Sequence, residues 1–243
     1  MLFPFLESLP KSVKYIIKGN LGSKKNMYDF LSFMNHIPSK KELFLSYDEL
    51  CTFPIDFKEN FTYMVFVDFP LDKTNWDNAW KSLLARDVLY EIVFNIKTED
   101  DIEQVEDLIE EYNISNYQLN PVYTSENIQF FEKYVYLSRE DVLSNPISIR
   151  DIFIHQTMNT NDYGKLSLMP NGDVYANLKH PKIGNIKVDN IDDIVLREMK
   201  RGQSWFRIRN QEPCNKCVLQ WLCPSPSDYE LAIGRPNLCG VMD

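Results

Sequence analysis

Cysteine is nearly missing from the first 213 residues of this chain, where Cys51 stands alone. Histidine is scarce too: His36, His155 and His180 are scattered, so no histidine-rich metal or catalytic cluster is legible. The sequence has no Gly-rich phosphate loop, no G-x-S-x-G and no HExxH, which removes the usual signatures of phosphate binding, serine hydrolysis and zinc proteolysis. Basic residues are outnumbered, 26 Lys+Arg against 35 Asp+Glu. A formal net charge of -9 denies the chain the positive field of a non-specific nucleic-acid binder. No uninterrupted apolar run is long enough for a bilayer; the best candidate, Tyr63 to Phe69, is strand-length and contains Asp68. The opening MLFPFLESLP has no basic n-region and meets Glu7 early, so it reads poorly as a signal peptide. The expectation is a soluble, cytoplasmic protein with neither nucleic-acid nor membrane partners.

What is there is ordinary globular material: 44% hydrophobic and 25% charged over 243 residues, enough for one large domain or two small ones. Up to about residue 135, short β-type runs alternate with helical periodicity. Ser12 to Lys18, Glu42 to Tyr47, Phe61 to Phe69, Val88 to Ile96 and Tyr117 to Tyr123 read as strands. Met27, Phe30, Leu31 and Met34 fall at helical spacing, as do Trp76, Ala79, Trp80, Leu83 and Leu84. Ile102, Val105, Leu108, Ile109 and Tyr112 form the stripe of a further helix, with Thr98 and Asp101 spaced as a capping box. Its acidic run reads as a solvated face, and Glu126 to Leu137 as one more helix. Strand and helix in alternation predict right-handed crossovers and a parallel sheet. Four or five such units are about half of a complete barrel of roughly 250 residues. The expected fold class is therefore α/β, with a partial parallel (β/α) barrel over residues 1–150.

Composition shifts near Asn145-Pro146. KLSLMPNGDVYAN then reads as a hairpin turning at Pro170-Asn171-Gly172-Asp173, and Asn190 caps a helix through Arg201. From Gly202 on, regular periodicity fades and the cysteines gather, in the pattern Cys214-x2-Cys217-x5-Cys223-x15-Cys239. In a reducing compartment such a cluster reads first as a metal site. Four thiolates suit a tetrahedral zinc or a cubane iron–sulfur cluster, and spacing alone does not choose.

The flanking text is PNGDVYANLKHPKIGNI, then NIDDI, then WFRIRNQEPCNKCVLQWLC, then PNLC. Over roughly residues 160–241 it resembles the SPASM domain, the C-terminal extension of radical SAM peptide-modifying enzymes. The resemblance implies a small cysteine-rich SPASM-like domain over residues 151–243. A full SPASM domain holds two auxiliary [4Fe–4S] clusters on seven cysteines. Here the first cluster's ligands are missing: none precedes the hairpin, and Asn177 and Ser227 occupy two of the expected cysteine positions. The second cluster's ligands map onto Cys214, Cys217, Cys223 and Cys239, all present. The radical SAM motif C-x3-C-x2-C is absent, so no SAM binding is expected. In this the chain resembles the pseudo-radical-SAM/SPASM proteins.

That resemblance implies a non-catalytic accessory protein of ribosomal peptide maturation. It would carry one [4Fe–4S] cluster and bind a precursor peptide, a radical SAM maturase, or both. The alternatives are a truncated or complex-dependent radical SAM enzyme, an electron-transfer protein, and a zinc-stabilised binding module. No catalytic residue is assigned. Cys51 is expected as a small buried residue. Trp205, Phe206, Arg207 and Arg209 are expected to pack the tail, and Lys216 to be solvated or to balance cluster charge. His180 is a weak candidate replacement ligand. Asp68, Glu91 and Asn95 sit near strand ends without assigned chemistry.

Overall fold

The computed structural model describes residues 12–16, 39–51 and 61–240. The helix expected around Met27 to Met34 lies outside them. Strands β1 (Ser12–Ile16), β2 (Lys40–Ser46), β3 (Phe61–Val67), β4 (Leu89–Ile96) and β5 (Tyr117–Pro121) fall where aromatic and β-branched residues concentrate. β6 (Lys165–Leu168), β7 (Asp173–Tyr175) and the two-residue β8 (Gly184–Asn185) follow. Together they form one eight-stranded sheet in the order β5-β4-β3-β2-β1-β6-β7-β8. Pairing is parallel from β5 through to β6, and antiparallel from β6 to β8. The sheet thus runs through the compositional shift near Asn145: β6 lies directly against β1, with Val13 opposite Leu166.

Helices α1 (Tyr47–Leu50), α2 (Lys73–Leu84) and α3 (Glu99–Tyr112) follow β2, β3 and β4. α4 (Ile128–Tyr134), α5 (Arg139–Ser144) and α6 (Ile149–His155) fill the link from β5 to β6. α7 (Ile191–Arg201) and α8 (Asp228–Ile233) belong to the tail. The starts follow from side-chain chemistry. Asp72 caps α2 through Thr74 and Asn75. Thr98 and Asp101 form the expected capping box of α3, and Asn190 caps α7.

One sheet face carries the main core. Tyr15, Leu43, Leu45, Tyr63, Val65, Ile92 and Phe94 pack there against Trp76, Ala79 and Trp80 of α2, Val105 and Leu108 of α3, and Ile194 and Val195 of α7. A smaller cluster of Phe44, Met64 and Val93, flanked by Ile16 and Phe66, is separate from it. In a strand, successive side chains point to opposite faces, so Phe44, between Leu43 and Leu45, belongs to the other face. No helix among the described residues is long and apolar enough to cross a membrane.

Candidate functional site

Cys214, Cys217, Cys223 and Cys239 line one pocket, together with Leu137, Arg209, Gln220, Asn237 and Leu238. Its volume is about 370 Å3, counting its open mouth. Local backbone geometry delivers the first three. Cys214 to Lys216 forms a 3-10 turn, closed by the Cys217 amide donating to the Cys214 carbonyl at 3.0 Å. A second turn carries the chain to Cys223, whose amide donates to the Leu219 carbonyl at 3.1 Å. Cys239 arrives from a distance: it forms a parallel bridge with Leu137, whose amide donates to Leu238 at 3.0 Å. The fourth cysteine is therefore seated by the segment just after α4.

A buried frame holds this loop. Arg209 donates through Nε to the Pro224 carbonyl at 2.6 Å and pairs through Nη2 with Glu230 at 2.8 Å. Both side chains are nearly excluded from water, 7% and 4% exposed, which is the setting where such a pair needs its partner. Gln220 donates to the Arg209 carbonyl, and His155 Nδ1 meets the Trp221 carbonyl at 3.1 Å. Two sulfurs accept hydrogen bonds: Cys217 from the Leu219 amide at 3.4 Å, and Cys214 from Asn237 Nδ2 at 3.7 Å. Burial pushes the Cys223 thiol up to about 11; the neighbouring Arg209 works against this, and the other three cysteines add to it. Without a cation this sulfur is held protonated, and a bound metal reverses that. No disulfide joins any of the five cysteines. Among the described residues, no three His, Cys, Asp or Glu side chains are grouped to hold a single metal ion.

Asn177 and Ser227, far apart in sequence, come to one place. Asn177 is buried and donates through Nδ2 to both oxygens of Asp162, at 3.1 and 3.2 Å, and to Asp228. Ser227 is the N-cap of α8, and its carbonyl accepts from Arg207 at 3.1 Å. Arg207 stands 3.8 Å from Asp162 and 3.9 Å from Asp228. Asn159, fully buried, donates to Asp162 and to the Pro226 carbonyl. Asp162 lies ten residues before Gly172, and Asn159 thirteen. Burial first, and then Asp228, raise the Asp162 carboxyl to about 6; Asn177, Arg207 and Lys165 oppose the rise.

The other sequence candidates separate clearly. Trp205 is fully buried, with its indole N–H on the Lys165 carbonyl at 3.1 Å and its ring edge-on to Tyr163, so it packs as expected. Lys216 is solvated and paired with Glu212. His180 contacts Ser204 through Nδ1 at 2.7 Å and does not line the cysteine pocket. His36 lies outside the described residues. Cys51 departs from expectation: it is exposed, because the short α1 ends there and leaves it as the C-cap. Asp68 and Asn95 belong to a polar row at the strand ends, where Asn95 donates to Asp68 at 3.0 Å and Asn120 to Asn95 at 2.7 Å. Glu91 lies within β4. The sequence reading missed Leu137, Asp162 and Glu230, whose roles depend on contacts over long sequence separations.

No family model, curated protein or solved structure matches the chain.

Proposed function

We propose that this chain is a non-catalytic accessory protein of ribosomal peptide maturation. It carries one [4Fe–4S] cluster on Cys214, Cys217, Cys223 and Cys239. It binds a precursor peptide or a radical SAM maturase. The observation that carries the reading is the meeting of all four cysteines, from two turns and a distant isolated bridge, around one pocket. A tetrahedral zinc draws its thiolates to about 2.3 Å from a single point. A cubane instead takes one thiolate at each iron and spreads the four around a larger body. Four cysteines lining one pocket meet the ligand count of either group, and the SPASM resemblance favours the cluster. The hydrogen bonds to Cys217 and Cys214 are of the kind that tunes a cluster's potential.

The SPASM-like reading gains support from the polar site. The resemblance equates Asn177 and Ser227 with ligands of one lost cluster, and the two stand beside the same Asp162–Arg207–Asp228 group. A partial barrel is supported by the sequential order of β1 to β5, with α2 and α3 packed on the core face of the sheet. A closed or curled sheet with helices on its outside winds in this way.

When bound, the cluster would supply a one-electron redox centre or a rigid staple for the tail. The chain's own residues position the four sulfurs, shield them with Leu137 and Leu238, and place Arg209 where it offsets negative charge. Partner binding fits the exposed edge strand β5, where Tyr117 and Leu119 are 42% and 48% exposed. The test is co-purification of the tagged chain from its own host. Retention of a precursor peptide or a radical SAM maturase is expected, and no SAM cleavage by the isolated chain. Cleavage of SAM to 5′-deoxyadenosine under strong reductant would instead mark a radical SAM enzyme.

A further inference from the structure

A second pocket adjoins the cysteine pocket, sharing Cys214 and Arg209 with it. Its volume is about 440 Å3, counting the open mouth. Three guanidinium groups line it, Arg207, Arg209 and Arg235, in a chain whose net charge is -9. Glu230 is its one acidic lining residue, and its oxygens are already committed: Oε1 to Arg209, Oε2 to the amide and hydroxyl of Ser227. Arg209 is spoken for by Glu230 and by the sulfur pocket. Arg235 has no acidic partner among the described residues; it donates to the Tyr136 hydroxyl at 3.0 Å with its guanidinium 5.9 Å over the same ring. Its position is fixed while its charge stays available. Arg207 donates to the Pro226 and Ser227 carbonyls and stands 3.8 Å from Asp162 and 3.9 Å from Asp228, so Arg235 carries the pocket's available charge.

The geometry points to a binding site for a carboxylate that sits next to an apolar group, as an acidic side chain or a free C-terminus of a peptide does. Guanidinium groups match a carboxylate with paired, charge-assisted hydrogen bonds. Ile208, Leu231 and Pro236 line the same pocket and give the ligand an apolar surface, which a free phosphate does not use. The carboxylate site stands on the pocket alone. That a peptide carries the carboxylate rests on the accessory-protein reading.

The experiment is calorimetric titration of the full chain, purified anaerobically, with four probes. Acetyl-Leu-Glu-amide offers a side-chain carboxylate, acetyl-Gln-Leu a terminal one, acetyl-Leu-Gln-amide neither, and inorganic phosphate is the general anion. At least one acid is expected to bind saturably while the neutral peptide does not, and whichever acid binds more tightly names the source. Arg235→Gln, at an exposed position, is expected to weaken that binding about tenfold without shifting the melting temperature. No saturable binding of either acid, binding unchanged in Arg235→Gln, or tighter binding of phosphate would overturn the site. Iron content, measured on the same sample, separates the two ideas. A chain that binds acids but holds no iron keeps the pocket and loses the cluster; a chain with iron that ignores both acids loses only the pocket.

Discussion

Asn177 donates from one side-chain nitrogen to both Asp162 and Asp228, and so joins the β7 end of the hairpin to the start of α8. Where the resemblance expects an iron ligand, the chain has a buried amide between two acids. Replacing Asn177 by Ala leaves Asp162 buried without its principal donor. A loss of about 2–4 kcal/mol in urea unfolding is expected. Metal content is expected to match the parent, because Asn177 does not line the cysteine pocket. A change under about 0.5 kcal/mol would remove the amide from the structural account.

Asp162 also gives the stability a pH dependence of known sign. Its carboxyl is raised from 3.8 to about 6, chiefly by burial. The folded state therefore binds this proton more tightly than the unfolded state does. The stabilisation is complete below about pH 4 and is lost as pH rises through about 6, a span of about 3 kcal/mol. Asp162→Asn removes the titration. The stability of that variant relative to the parent is expected to improve by about that amount between pH 4 and pH 7. A constant difference across the range would contradict the burial argument.

Two glycines are fixed by close packing. A Cβ on Gly184 would stand 2.6 Å from Ile194 Cγ1 and 3.0 Å from Asp189 Oδ2, where α7 crosses the short β8. A Cβ on Gly172, at φ +94, would stand 2.8 Å from Asn185 Oδ1. Either change to Ala is expected to cost about 1–3 kcal/mol in thermal or urea unfolding. Gly234→Ala meets nothing within 4 Å and strains only its φ of +77, so about 1 kcal/mol is expected there. Equal effects at all three would argue against the packing.

Thiol reactivity separates the cysteines. Cys51 is exposed, whereas burial holds Cys223 well above the ordinary thiol range. In metal-free chain at pH 8, Cys51 is expected to react with a disulfide reagent before Cys223. Peptide mapping of the labelled sites gives the order. Cys51→Ser is expected to leave metal content unchanged, since it does not line the cysteine pocket.

Much of the sheet was legible because β-type runs and amphipathic stripes are local signals. The strand at Phe61, the α3 stripe, the Thr98 capping box and the turn at Gly172 are each contained within a few residues. The short helices α5, α6 and α8 escaped, since six or seven residues hold too little period, although their Ser-x-x-Asp and Ser-x-x-Glu caps were readable. The pairing of β6 with β1 was not legible, because no local pattern records which strands meet. At the site, the spacing Cys214-x2-Cys217-x5-Cys223-x15-Cys239 exposed all four cysteines. The seating of Cys239 by Leu137, and of Arg209 by Glu230, depends on long-range contacts that only the folded chain displays.

Iron and acid-labile sulfide analysis of anaerobically purified chain, with its absorption spectrum, is the most direct test. The account predicts about four irons and four sulfides per chain, lost in Cys214→Ala. One zinc without sulfide, or no metal at all, would contradict it.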